Sequence, residues 1–236
     1  MKSATTLLSA CLVTLLGVLP GPAAAAAAVA SEQRPVADFR RVVMRAAGEL
    51  IVHQGQREAL RIEAEPRLLP VIASEVRDGT LYLEFRASQV NTLYPVRFHL
   101  TVTALEAVAS QASADLRMGP LKSRTFDLDL TGSGDVDIEA LDATRSRTRI
   151  TGSSNVAIGG GRVDAQTIEI DGSGDYAAAP LASRSTQVTI GGSGNVEVAA
   201  GERLSVDISG SGEVRYHGNP RVDEHISGAG SVRRVD

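Results

Sequence analysis

A five-residue phrase recurs down the C-terminal half of this 236-residue chain at an almost constant step. It reads Gly132-Ser133-Gly134-Asp135-Val136, then Gly152-Ser153-Ser154-Asn155-Val156 and Gly172-Ser173-Gly174-Asp175-Tyr176. Gly192-Ser193-Gly194-Asn195-Val196, Gly210-Ser211-Gly212-Glu213-Val214 and Gly228-Ala229-Gly230-Ser231-Val232 follow. The first glycines stand at positions 132, 152, 172, 192, 210 and 228, a step of twenty that closes to eighteen. A weaker copy, Ala112-Ser113-Ala114-Asp115-Leu116, stands one full step before the first. Self-similarity at such a period is the mark of a solenoid, in which each repeat is covered only by its neighbours.

One repeat shows what the coil is made of. Thr125 to Leu130 alternates polar and apolar residues, the pattern of a half-buried strand. The Gly-Ser-Gly-Asp phrase interrupts it, since glycine takes φ > 0 freely and Asp or Asn tolerates the left-handed region. Val136 to Glu139 then resumes alternation. Two residues before each first glycine stand Leu130, Ile150, Ile170, Ile190, Ile208 and Ile226. Four after it come Val136, Val156, Tyr176, Val196, Val214 and Val232; six after it, Ile138, Ile158, Ala178, Val198 and Tyr216. An antiparallel array would not demand one residue type at one phase of every unit. Coils stacked in register about 4.8 Å apart do, with the columns filling the interior. Each buried Ile or Val contributes roughly 1.5–3 kcal/mol. The absence of a six-residue rhythm and the handedness of parallel crossovers favour a right-handed parallel β-helix with 18- to 20-residue coils. The fold class is therefore all-β. Variable stretches such as 141–147 and 159–166 become corners of the coil.

Residues 36–110 are also rich in alternating segments, at 49–53, 60–63, 80–85 and 96–102, but lack the glycine phrase. Asp78-Gly79 is a tight-turn signal, and 66–74 has room for a short helical turn. No Pro/Gly/Ser linker divides the halves. One domain over 31–236 is expected, with 36–110 forming N-terminal coils or a cap and 111–236 the regular repeats.

Residues 1–30 read as a secretory leader: Lys2, an apolar core from Leu7 to Leu19, and a small-residue tail ending Ala28-Val29-Ala30. Leu8-Ser9-Ala10-Cys11 has the look of a lipobox, but the apolar run continues past Cys11, which disfavours a lipid anchor there. No later stretch reaches about 18 apolar residues, so no transmembrane segment is expected. Cleavage after Ala30 leaves 206 residues (236 − 30) without cysteine, excluding disulfides and thiol chemistry. The mature charge is 23 − 28 = −5, with no basic cluster suited to nucleic acid. Aromatic residues make up 3% and Trp is absent, which argues against stacking platforms for sugars or bases.

The most regular polar line is residue three after each first glycine: Asp135, Asn155, Asp175, Asn195, Glu213 and Ser231, beside the Ser133, Ser153, Ser173, Ser193, Ser211 column. Asn between acids spaces the charges to roughly 10 Å, near a Debye length at 0.1 M salt. Two readings stand: a ridge binding cations or hydroxyls, centred on Ser133, Asp135, Asn155, Asp175, Asn195 and Glu213, or a turn column bonded to nearby backbone amides. The turn reading is preferred. The calcium-binding GGxGxD repeat does not fit, because Val196 falls where its ligand Asp must be and the period is 18–20 rather than nine.

Enzymatic candidates would be Asp127, Asp129, Asp137, Glu139, Glu169, Asp171 and Asp207, yet these alternate with core residues as any solvated face does. His53, His99, His217 and His225 are dispersed, with no zinc-ligand spacing, so no metal or cofactor is expected. Gly210-Ser211-Gly212 and its cousins are turns repeated six times, not nucleophile elbows. Arg233 and Arg234 near the C-terminus would discourage end-to-end growth, while homo-oligomers through a face stay open.

The repeated phrases resemble the bacterial head GIN domain family, often labelled auto-transporter adhesins. So does the run Val206-Asp207-Ile208-Ser209-Gly210-Ser211-Gly212-Glu213-Val214-Arg215-Tyr216-His217-Gly218-Asn219-Pro220 with the closing 226–232. The resemblance spans about 36–236 and departs from the pattern at Ala112-Ser113-Ala114-Asp115. It implies an exported β-helical domain and brings no catalytic residues. The expected function is a non-enzymatic binding or scaffold module of the periplasm or cell surface, adhesin-like, whose partner is an envelope protein or a glycan. The alternative is a carbohydrate-active lyase or hydrolase on a β-helix.

Overall fold

The computed structural model describes residues 28–87 and 89–235. Residues 1–27, Cys11 among them, lie outside the described residues.

The repeats form an all-β parallel solenoid. Leu121–Leu130 pairs in register with Leu141–Ile150, which pairs with Gly161–Ile170, then with Tyr176–Ile190, Val196–Ile208 and Arg221–Ile226. The shorter runs Asp135–Ile138, Asn155–Ile158, the starts of Tyr176–Ile190 and Val196–Ile208, Glu213–His217 and Ser231–Arg234 stack on a second side. Pairing skips Arg124, Thr144 and Asp164, so the long strands bend there and each coil has three straight runs.

The expected columns are the core. Leu130, Ile150, Ile170, Ile190 and Ile208 are fully buried one above another, as are Val136, Val156, Tyr176, Val196 and Val214. The phrase glycines are required mainly by space, which corrects the expectation from φ. Only Gly134 among them has a left-handed backbone (φ 137°), and none of the Asp or Asn residues at the fourth position does. At Gly172 a Cβ would instead meet the Gly152 carbonyl group and the backbone of Thr151, because adjacent coils touch through their backbones at this corner.

The interior is not wholly apolar. The column Phe126, Ser146, Gln166, Thr186, Leu204 turns polar in its middle. Gln166 donates to the Tyr176 hydroxyl (2.6 Å) and accepts from Thr186 (3.4 Å), whose hydroxyl also lies 2.5 Å from that of Ser183. A bulky phenol in the valine column thus reaches across the coil to a buried amide. Burial pushes the Tyr176 phenol up, against its hydrogen bonds with Gln166 and Thr148.

At the N-terminal end the coils are not in chain order. The coil of Arg41–Met44 and Gly48–Gln54 lies between the coil of Thr80–Phe85 and Arg97–Val102 on one side and that of Ala107–Ser110 and Ala114–Met118 on the other. Antiparallel strands close the end beyond it. Ile72–Arg77 joins Thr80–Phe85 through the Asp78-Gly79 turn (φ 50° and 70°), preceded by a 3-10 turn at Leu69–Val71. Ala59–Ala64 covers Arg97–Val102, and Ala30–Arg34 covers Ala59–Ala64. The other end is open, but charged. In the last coil Glu224 takes the position of Val206, and Arg234 that of Tyr216, on what are elsewhere interior columns.

Candidate functional site

Threading the first coil between two later ones brings distant outward-facing residues side by side. One row across the strands runs Thr80, Arg41, Ala107, Asp127, Arg147; the next runs Tyr82, Val43, Ala109, Asp129, Arg149. Together they line an open cleft of about 490 Å³. Its floor is the small side chains Val43, Ala107 and Ala109 on neighbouring strands, so it runs parallel to the strand Ala107–Ser110. Arg41 rises on one side and Asp127 and Asp129 on the other, their backbones about 10 Å apart across two strand spacings.

Electrostatics leaves these walls available. Arg147 and Arg149 stand beside the two aspartates but both turn to Glu169, at 3.0 Å and 2.5 Å. Burial works to raise the Glu169 carboxyl, and the Arg149 and Arg147 guanidiniums outweigh it and hold the carboxyl below the usual range. The side chains of Asp127, Asp129 and Arg41 form no hydrogen bond or ion pair among the described residues, although the Asp129 charge is felt by Arg149. Tyr82, the one aromatic at the cleft, has the Arg77 guanidinium 4.4 Å and the Arg45 guanidinium 5.1 Å from its ring centre.

The sequence-predicted ridge lies on the corner between two sides of the solenoid, away from this cleft. Its side chains bond from coil to coil. Asp135 N–H donates to Asp115 (3.1 Å), Asp175 N–H to Asn155 (3.1 Å), Asn195 N–H to Asp175 (2.7 Å) and Glu213 N–H to Asn195 (3.2 Å). The amides of Asn155 and Asn195 donate in turn to Asp135 and Asp175, and Arg233 donates to Glu213. Ser153, Ser173, Ser193 and Ser211 use their backbone N–H groups on the glycine carbonyl one coil below, at 3.0–3.2 Å. Ser133, Ser153, Asp135, Asn155, Asp175 and Asn195 face solvent. Of the other acids singled out, Asp127 and Asp129 line the cleft and Glu169 holds the two arginines beside them, whereas Asp137 and Glu139 lie on the second side. Among the described residues no three His, Cys, Asp or Glu side chains gather as a metal site requires, and no helix is long and apolar enough to cross a membrane.

A third feature had no sequence signal. Glu65, only 7% exposed, accepts from the Leu93 N–H (2.6 Å), the Thr92 hydroxyl (2.8 Å) and Arg67 (2.9 Å). The Leu93 N–H first, then Thr92 and Arg67, pull its carboxyl down to about 2. The loop so held presents Leu93 at 85% exposure beside Tyr94.

An all-β parallel solenoid with a capped start, a charged final coil and an open cleft on one outer side defines a β-helical domain. Residues 38–220 match the family described as "Putative auto-transporter adhesin, head GIN domain", and the chain belongs to that family. A crystal structure of a "putative adhesin" from Bacteroides fragilis is similar over 88% of this chain and 97% of that one, with TM-score 0.83 and 20% identity. One of a "putative adhesin" from Parabacteroides distasonis covers 88% and 97%, with TM-score 0.68 and 23% identity. A "putative lipid binding protein" from the same species covers 89% and 98%, with TM-score 0.69 and 20% identity. At these identities the likeness is one of fold. No curated protein matches the chain.

Proposed function

We propose that this chain is an exported, non-enzymatic binding module of the cell envelope, adhesin-like, which holds an envelope protein or a glycan against its outer cleft. The observation that carries this reading is the small-residue floor of Ala107 and Ala109 between side chains without a hydrogen bond or ion pair of their own, Arg41 facing Asp127 and Asp129. Binding is favoured over carbohydrate hydrolysis because both aspartates are exposed on an open sheet side. A general acid working near neutral pH needs burial or a like charge to raise its pKa. A lipid is not favoured, since the interior is filled by its own aliphatic columns. Export rests on the leader-like segment that ends at Ala30 and on the family description. The Asp/Asn ridge is assigned a structural role, its oxygens tying each coil to the next.

Retention of the labelled mature protein on envelope fractions and on a glycan array tests the proposal. Ala109→Trp fills the cleft and should abolish retention, while Gln187→Trp on the same side, outside the cleft, should leave it unchanged. Equal retention of both variants would refute the cleft as the binding surface.

A further inference from the structure

We infer that the cleft takes a small zwitterion of the peptide class, its ammonium group between Asp127 and Asp129 and its carboxylate on Arg41. This goes beyond the partners proposed above and rests only on the cleft as the binding surface.

Arg41 stands on one side of the floor and the two acids on the other, with Arg147 and Arg149 on the strand beyond the acids and Arg149 feeling the Asp129 charge. Both carboxylates stand on one strand, two residues apart, so their backbones are about 7 Å apart on the same side of the sheet. The Arg147–Glu169–Arg149 clamp draws away the two guanidiniums that would otherwise neutralise them. Across the floor, among the described residues, the charge lining the facing wall is Arg41, whose side chain has no acidic partner among them. A ligand carrying a single sign of charge would satisfy one wall and leave the other unpaired. A free ammonium and a free carboxylate joined by a few atoms satisfy both. A dipeptide spans roughly 7 Å when extended, which bridges walls about 10 Å apart at the backbone once their side chains reach inward. The methyl groups of Ala107 and Ala109 and the side chain of Val43 suit a short apolar link over the floor. Neutral sugars fit less well, because Arg77 and Arg45 flank the Tyr82 ring that would stack on them.

The test is a titration of the ¹⁵N-labelled mature protein with the dipeptide Ala-Ala, with N-acetyl-Ala-Ala and with Ala-Ala-amide, followed by backbone amide shifts. Ala-Ala should give saturable shifts at Ala107 and Ala109, and each blocked form should bind at least about fivefold more weakly, in line with loss of one charge-assisted contact. In the Asp127→Asn/Asp129→Asn double variant acetylation should no longer matter, and in Arg41→Gln amidation should no longer matter. These exposed substitutions leave the core untouched. Absence of saturable shifts, or equal binding of all three peptides, would overturn the inference. Envelope retention that depends on Ala109 without dipeptide binding would overturn the ligand class alone. Dipeptide binding with envelope retention indifferent to Ala109→Trp would overturn the proposed function alone.

Discussion

Gly172→Ala isolates what the repeated phrase contributes. A Cβ at this position would lie 3.0 Å from the carbonyl carbon of Gly152 and 3.1 Å from that of Thr151, and closer still to the Gly152 oxygen. That oxygen already accepts the Ser173 N–H at 3.1 Å, so the two coils cannot separate to admit a methyl group without stretching this bond past its limit. Loss of one backbone hydrogen bond costs about 0.5–1.5 kcal/mol, and overpacking adds about 1–3 kcal/mol. The smaller entropy of the unfolded alanine chain offsets about 0.4–1 kcal/mol. The net is a destabilisation of about 0.5–4 kcal/mol, centred near 2, or a fall in Tm of roughly 1–16 °C for a domain of this size. Gly160→Ala is the matched control, since its Cβ would meet nothing nearer than the Glu139 oxygen at 3.9 Å. Thermal unfolding followed by far-ultraviolet circular dichroism decides between them. Equal melting of the two variants, or a Gly172→Ala shift below about 1 °C, would refute backbone contact as the reason for glycine.

Tyr176→Phe should cost about 1–3 kcal/mol in urea unfolding by stranding the Gln166 amide, and adding Gln166→Leu should recover part of it. The raised phenol also gives a sign: the folded chain keeps its proton where the unfolded chain releases it. Stability should therefore fall as pH rises above about 10, and more steeply in wild type than in Tyr176→Phe. For Glu65 the sign is opposite. Its carboxyl stays ionised in the fold down to about 2, so the hold on the 92–94 loop, intact at neutral pH, should weaken as pH falls below about 4.3. Hydrogen-exchange protection at Leu93, taken relative to the intrinsic rate at each pH, reads this, and Glu65→Gln should make that protection low and independent of pH from 5 to 2. Glu224→Val extends the Val206 column to the open end and should cause association in sedimentation velocity; an unchanged monomer would show that this charge does not guard the end.

The repeats were legible because identical phases must stack. A residue type that recurs at one phase of every coil has one geometric explanation, and Leu130 to Ile208 became the expected buried column. The polar interior was not legible. Ser146 and Gln166 fall in the stretches 141–147 and 159–166 expected to be corners, but these lie largely in strands, and Phe126 and Leu204 on the same column show that Ser146, Gln166 and Thr186 face inward. The cleft was hidden for a different reason. Arg41 and Val43 come to lie beside Ala107 and Ala109 only because a coil from much earlier in the chain is inserted between two later ones, and no local pattern encodes that order. Asp127 and Asp129 could be named as exposed acids, but not their neighbours.

That insertion also sets a sequence of assembly. The strand Gly48–Gln54 is bordered by Arg97–Val102 and Ala114–Met118, so its first edge is satisfied only when the chain has reached residue 102 and its second only at residue 118. Each repeat needs only the coil that follows it, a far shorter loop to close. A chain leaving a membrane pore N-terminus first therefore cannot lock its beginning and propagate from there. It stays open through its first half and then zips from the middle toward the C-terminus. Under the export proposed above, an unfinished N-terminal end is itself useful, because nothing rigid forms early enough to jam the passage.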